Sequence, residues 1–251
     1  MSPSPSPSPL LILVHSPLVG PSTWRPVAEA LNAGGFEART PSLLGLAGGP
    51  GPYAARFAEA VVAKADAAVA AGAAEPGGGI VLAAHSGAGA HLPAIAEAVA
   101  RSGAGPVLGA AFVDARLPRP GRSDFDTSPP EFADTLTAMA RDGLVPPWNE
   151  WFPPETLASL IPDEAQREVF LAELHPVALA YFQEPAPATP TWPDVPCAYL
   201  QLSETYQDQA DQAASLGWLT SRLPAHHLAV LTDPGPVAVF LSEFAQSLAI
   251  D

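Results

Sequence analysis

Residues 84–89 read A-H-S-G-A-G, between an apolar run and a helical pattern, and are the stretch best suited to chemistry. A serine on so sharp a strand-to-helix turn takes up strained backbone angles that leave its hydroxyl pointing outward. Two residues to either side the side chains must be small, and Ala84 and Ala88 are, while Gly87 and Gly89 relieve the turn. The Gly87 N–H would then face any oxyanion formed at Ser86, close to a helix N-terminus. Ser86 is therefore a candidate nucleophile for attack on a carbonyl carbon. The same letters would also fit a Ser/Gly-rich helix cap. Position favours the nucleophile, because an open parallel sheet binds ligands at the carboxyl ends of its central strands. A serine nucleophile needs a base, and the six histidines are His15, His85, His91, His175, His226 and His227.

The elements that must position these residues alternate between strand and helix. L-L-I-L-V at 10–14, G-I-V-L-A-A at 79–84, P-V-L-G-A-A-F-V at 106–113 and P-C-A-Y-L-Q-L at 196–202 are short apolar runs of the kind buried on both faces of a sheet. F-E-A-R-T at 36–40 and W-L-T-S-R-L at 218–223 are weaker strands. Between them lie helical patterns: one capped by Ser22 and stopped at Gly34-Gly35, a long one from Tyr53, one near 87–102, a polar one near 207–216 and a last one at 235–249. Such alternation predicts an α/β fold, a doubly wound and mostly parallel sheet of about six strands with helices on both faces. Residues 118–194 break the pattern with Pro, aromatics and short helices near 130–142 and 163–174, and are expected to form a lid inserted after the fourth strand. The core is then 10–117 with 195–251, preceded by a disordered Ser/Pro tail at 1–9.

Composition narrows the chemistry. The chain has 251 residues with a net charge of −15, from 26 acidic and 11 basic side chains without a Lys/Arg cluster, so nucleic acid and anionic membranes are not expected partners. A single cysteine, Cys197, excludes an intramolecular disulfide framework. The histidines are not spaced as metal ligands and no dinucleotide fingerprint follows a strand, so neither metal nor cofactor is expected. With no Lys or Arg before Arg25 and only five apolar residues at 10–14, the start does not match a secretory signal, and the expected location is cytoplasmic. A small apolar substrate is the expected partner.

Taken in order, L-V-H-S with Trp24 near the start, A-H-S-G-A at 84–88, F-V-D-A-R-L-P at 112–118, a cap, and H-H-L-A-V-L-T-D-P at 226–234 resemble the α/β-hydrolase superfamily. The resemblance is to its small single-domain branch of methylesterases and hydroxynitrile lyases, and runs from Leu10 onward. It implies a histidine base late in the chain, followed by an apolar residue and, seven on, by a Pro opening the last helix. His227 has that register, with Leu228 and Pro234, whereas His226 is out of it. It also implies that His15 is a structural histidine and that His85 is the ordinary residue before the nucleophile.

Two departures from the family pattern are visible. Where the family supplies Asp after the strand before the last, this chain reads L-S-E-T-Y, with Tyr206 in its place. The acid is then Asp114 at the end of strand 106–113, or Glu204, or absent. Where the family has H-G-x, this chain has His15-Ser16-Pro17, and Pro17 has no N–H for an oxyanion. Leu18 N–H or the Ser16 hydroxyl is the expected substitute. Pro17, His85, Trp148, Trp151 and Phe152 are expected at the substrate, although for any one aromatic a role in holding the lid to the sheet is the plainer reading. The resulting expectation is a serine hydrolase acting on an apolar ester, thioester or lactone through Ser86, His227 and Asp114. The alternative is a lyase, cyclase or acyltransferase on the same fold, and the third is a silent binding protein.

Overall fold

A computed structural model describes residues 8–73, 79–190 and 192–248. Most of the tail expected at 1–9 lies outside the described residues. Six strands form one parallel sheet: β1 (Leu10–Val14), β2 (Glu37–Arg39), β3 (Ile80–Ser86), β4 (Val107–Ala115), β7 (Cys197–Gln201) and β8 (Leu219–Arg222). Their order across the sheet is β2-β1-β3-β4-β7-β8, so β3 and β4 lie at the centre with the Ser86 turn at the carboxyl end of β3. The five residues of β1 are fully buried, as a strand covered on both faces requires. β8 closes one edge and its four residues are exposed, which accounts for its weaker apolar signal.

Helices cover both faces. α1 (Arg25–Ala33) and α11 (Pro234–Leu248) pack on one side, where Trp24, Val27, Leu31, Val237 and Leu241 meet Leu11, Leu13, Val81 and Val113. α2 (Tyr53–Ala70) and α3 (Leu92–Ser102) pack on the other, where Phe57, Val61 and Ile95 meet Ile12, Leu82 and Phe112. Successive residues of a strand point to opposite faces, so each central strand feeds both cores. One cap differs from expectation: Ser22 lies in a 3-10 turn (Pro21–Thr23), and α1 begins later, after Trp24, without a side-chain cap. The Ser22 N–H instead donates to Glu173 Oε2 at 2.9 Å.

Between β4 and β7 the chain forms α4 (Asp124–Thr127), α5 (Pro130–Met139), α6 (Pro154–Leu160), α7 (Glu164–Ala172) and α8 (Leu179–Gln183). It also forms two two-residue strands, β5 (Leu144–Val145) and β6 (Val177–Ala178), paired antiparallel. Glu184, just past α8, caps the first turn of α2 from outside it: its Oε1 accepts from Tyr53 N at 2.7 Å and Ala54 N at 3.3 Å. That contact ties the insertion to the sheet's own layer of helices. The remaining helices are α9 (Gln207–Ser215) and the short α10 (Ala229–Thr232). None of the described helices is long and apolar enough to cross a membrane.

Candidate active site

Ser86 has φ 60° and ψ −132°, the positive-φ strain that the strand-to-helix turn demands of a non-glycine residue. Small residues make the turn possible, and at Gly89 a Cβ would come within 2.4 Å of Arg116 O. The Arg116 N–H donates to Ser86 O at 3.0 Å and pins the turn to the end of β4. Gly87 opens a 3-10 helix (Gly87–His91), so its N–H has no partner within that helix.

From Val81 opposite Gly109 to His85 opposite Val113, β3 and β4 pair in constant register, but Ser86 then faces Ala115. Asp114 is the extra residue, a bulge with φ 44° in the left-handed region that Asp tolerates better than most side chains. The bulge turns its carboxylate toward the end of β7. There Oδ1 accepts from Leu202 N at 2.9 Å and Ser203 N at 3.0 Å, and Oδ2 accepts from Ser203 Oγ at 2.6 Å. The fourth partner is His227, whose Nδ1 lies 2.7 Å from Oδ2. Burial alone would raise the Asp114 pKa, but the hydrogen bond and charge of His227 and the bonds from Ser203 outweigh it, and the carboxyl sits below its usual value.

His227 is delivered by a loop that continues the sheet's edge. After β8, Leu223 N–H donates to Gln201 O at 2.8 Å and Ala225 N–H to Leu202 O at 3.1 Å, so the chain crosses the end of β7 above Asp114. His85 supports it from below: its Nε2 is 2.9 Å from His227 O and the two rings stack at 4.4 Å. Burial, then the His227 charge, lowers the His85 pKa to about 3 and keeps it neutral. His226 is turned away, with Nε2 3.2 Å from Thr232 Oγ1. Pro234, seven residues past His227, opens α11.

The other sequence-level candidates fall as follows. Glu204 is almost fully exposed and pairs loosely with Arg222 at 3.7 Å, so Asp114 and not Glu204 meets the histidine. His15 is structural: fully buried, it accepts from Leu43 N–H through Nε2 at 2.9 Å. Leu18 N–H is not free for an oxyanion, because it donates to Ser16 Oγ at 3.3 Å. That bond occupies a lone pair of the hydroxyl and leaves the Ser16 proton to donate elsewhere. Pro17 does not line the cavity over Ser86, although its Cδ approaches Gly87.

That cavity has a volume of about 410 Å³. Ser16, His85, Ser86, Gly87 and His227 form its floor, and Phe132, Trp148, Trp151, Phe152, Tyr181 and Phe182 from the insertion form most of its roof. The roof aromatics also hold one another: Trp148 meets Phe152 edge-on at 5.1 Å, and Trp151 Nε1 donates to Pro146 O at 2.9 Å. Arg116 and Asp124, paired at 3.0 Å, are the charged groups on the wall beside them.

Sequence reasoning missed Tyr206 as part of the site. Its ring lies parallel to that of His227, with centroids 5.0 Å apart, and its hydroxyl is 3.3 Å from Ser86 Oγ. Burial pushes its pKa up to about 12, so it is a neutral phenol. In this state Ser86 Oγ is bonded to Tyr206 and not to His227. The signal available in the sequence was its register, the position where the family's Asp is expected.

Residues 11–240 match the family model described as the alpha/beta hydrolase family. The chain belongs to that family. No curated protein sequence is similar enough to match. Among solved structures, an extracellular α/β-hydrolase from a Paenibacillus species, described as sharing structural and functional homology with tobacco salicylic acid binding protein 2, superposes with a TM-score of 0.69 at 18% identity, over 94% of this chain and 98% of that one. A pyrethroid hydrolase from Sphingobium faniae gives 0.67 at 18% identity, over 95% and 97%. Tomato methylketone synthase I, complexed with 2-tridecanone, gives 0.65 at 12% identity, over 96% and 99%. At these identities the likeness is one of fold.

Proposed function

We propose that this α/β-hydrolase is a serine esterase that cleaves an apolar ester, thioester or lactone through an acyl-enzyme on Ser86. The observation that carries the reading is the buried Asp114–His227 contact of 2.7 Å, set beside a strained serine under an aromatic cavity. Asp114 holds Nδ1 of the imidazole, so Nε2 is left to accept the Ser86 proton. Reaching it requires the Ser86 hydroxyl to leave Tyr206, a rotation about one side-chain bond, and catalytic hydrogen bonds are often loose before substrate binds. Oγ then bonds to the carbonyl carbon, the leaving oxygen or sulfur departs with the proton from His227, and water repeats the sequence to free the acid. A wall of aromatic side chains suits an apolar acyl or alcohol group, in keeping with fold relatives described as hydrolases.

The test is intact mass after incubation with a small fluorophosphonate. One adduct on the wild type, absent from Ser86→Ala, is expected; a folded wild type that takes no label sinks the acyl-enzyme. A second reading, a lyase, cyclase or acyltransferase using Ser86 and His227 for proton transfer, is favoured by the missing donor at Pro17 and the occupied N–H of Leu18. It predicts turnover of substrate without that adduct.

A further inference from the structure

With Pro17 lacking an N–H and Leu18 N–H engaged by Ser16, the oxyanion side of Ser86 needs a donor from elsewhere. A methyl group built on Gly87 would lie 3.5 Å from Tyr181 Oη, 3.6 Å from Ser16 Oγ and 3.9 Å from Pro17 Cδ. Because residue 87 is glycine, no side chain separates either hydroxyl from the peptide next to the nucleophile. Tyr181 comes from the insertion and is placed by more than one contact. Leu179 N–H donates to Gly143 O at 2.8 Å at the start of α8, and Glu184 anchors its end to α2. The ring itself is buried edge-on against Tyr53 at 5.6 Å and Phe182 at 4.9 Å.

Behind Tyr181, away from the cavity, stands His91, with Nε2 3.3 Å from the phenol oxygen. Its Nδ1 is shut off from solvent and has no hydrogen-bond partner among the described residues. A buried N–H without a partner is rarer and costlier than a bare lone pair, so the proton belongs on Nε2. His91 then donates to Tyr181 Oη, and the phenol's own proton is left to point into the cavity. Burial lowers His91 to about 4 and raises Tyr181 well above its usual value, so both groups stay neutral through the working pH range.

We propose that Tyr181 Oη, oriented by His91, donates a hydrogen bond to the substrate's carbonyl oxygen beside the Gly87 N–H and takes the place of the loop donor that Pro17 removes. This rests on the Ser86 acyl-enzyme reading. Tyr181 is the catalytic residue of the pair and His91 its positioning residue.

The test uses the full chain with a p-nitrophenyl ester of a short acyl chain as substrate and a fluorophosphonate as label. Phe at 181 keeps the ring and its packing and removes only the hydroxyl. Tyr181→Phe is expected to lower kcat by about 10²-fold with KM changed less than about threefold, and to slow labelling in parallel. His91→Phe is expected to lower kcat about tenfold in the wild type and to have no further effect in Tyr181→Phe, a non-additivity that a purely structural role would not produce. Tyr181→Phe within about threefold of wild type, while Ser86→Ala abolishes turnover and labelling, overturns the proposal and leaves the Ser86 reading standing. A full loss in Ser16→Ala with none in Tyr181→Phe also overturns it, in favour of the Ser16 hydroxyl. Turnover that survives Ser86→Ala overturns both readings.

Discussion

The two sides of Ser86 are built from different material. On the acid–base side, one carboxylate accepts from Leu202 N, Ser203 N, Ser203 Oγ and His227 Nδ1, all within 3.0 Å and all at the ends of β4, β7 and the loop after β8. On the oxyanion side the peptide donor is missing at Pro17, and the hydroxyls of Tyr181 and Ser16 lie 3.5 and 3.6 Å from where a Cβ on Gly87 would stand. The first arrangement is held by the sheet. The second borrows a side chain from the insertion. A proton relay needs fixed geometry, which ladder hydrogen bonds supply, whereas the side that meets substrate is where one fold is adapted to different reactions.

Changes on the sheet side should have the largest effects. Ser86→Ala and Asp114→Asn are each expected to lower kcat for the ester by about four orders of magnitude, read by steady-state kinetics. A loss of less than tenfold in Asp114→Asn would mean that Asp114 only shapes the loop. The acid response should be the next largest. His15 and His85 are fully buried with pKa values lowered to about 4 and about 3, so below the unfolded value of 6.5 the unfolded chain binds more protons. Stability should therefore fall as pH drops from about 6.5 toward 4, by roughly 1.4 kcal/mol per pH unit for each histidine that stays neutral. Urea melts at pH 7, 5.5 and 4.5 would measure it, and a flat stability over that range would contradict it.

Smaller changes sharpen the comparison. Ser203→Ala takes one hydrogen bond from Asp114 and should cost about 1–2 kcal/mol in a denaturant melt. Ser203 helps hold the Asp114 pKa down, so its removal raises that pKa, and the stability the ionised carboxylate contributes is lost at a higher pH on acidification. An acid-unfolding midpoint that stays put would show that the Ser203 hydroxyl has no part in the depression. Tyr206→Phe should have the smallest effect on stability, within about 0.5–1.5 kcal/mol, since the ring keeps its stack on His227 and loses only the contact to Ser86 Oγ. Faster fluorophosphonate labelling in that variant is expected, because Ser86 is released to His227.

Much of the sheet was legible because each central strand is a short apolar run that must be covered on both faces. Leu10–Val14 coincides with its run, Cys197–Gln201 lies within 196–202, and Ile80–Ser86 continues two residues past 79–84. The two-residue strands β5 and β6 were not legible, since two residues show no period and form a pair only after the insertion brings them together. The bulge at Asp114 was also hidden: the apolar run ends at Val113, whereas the strand continues to Ala115, and the left-handed φ of Asp114 appears only when Ser86 pairs with Ala115. By itself the sequence determined the α/β alternation, the serine on its turn and the register of His227 to Pro234, because local sterics and apolar periodicity act within a few residues. Tertiary structure decided which acid meets His227, that Tyr206 sits on the nucleophile, and that Tyr181 approaches Gly87 with His91 behind it. Those contacts join residues 90 to 120 positions apart along the chain, and only the packed sheet and its insertion bring them within hydrogen-bond reach.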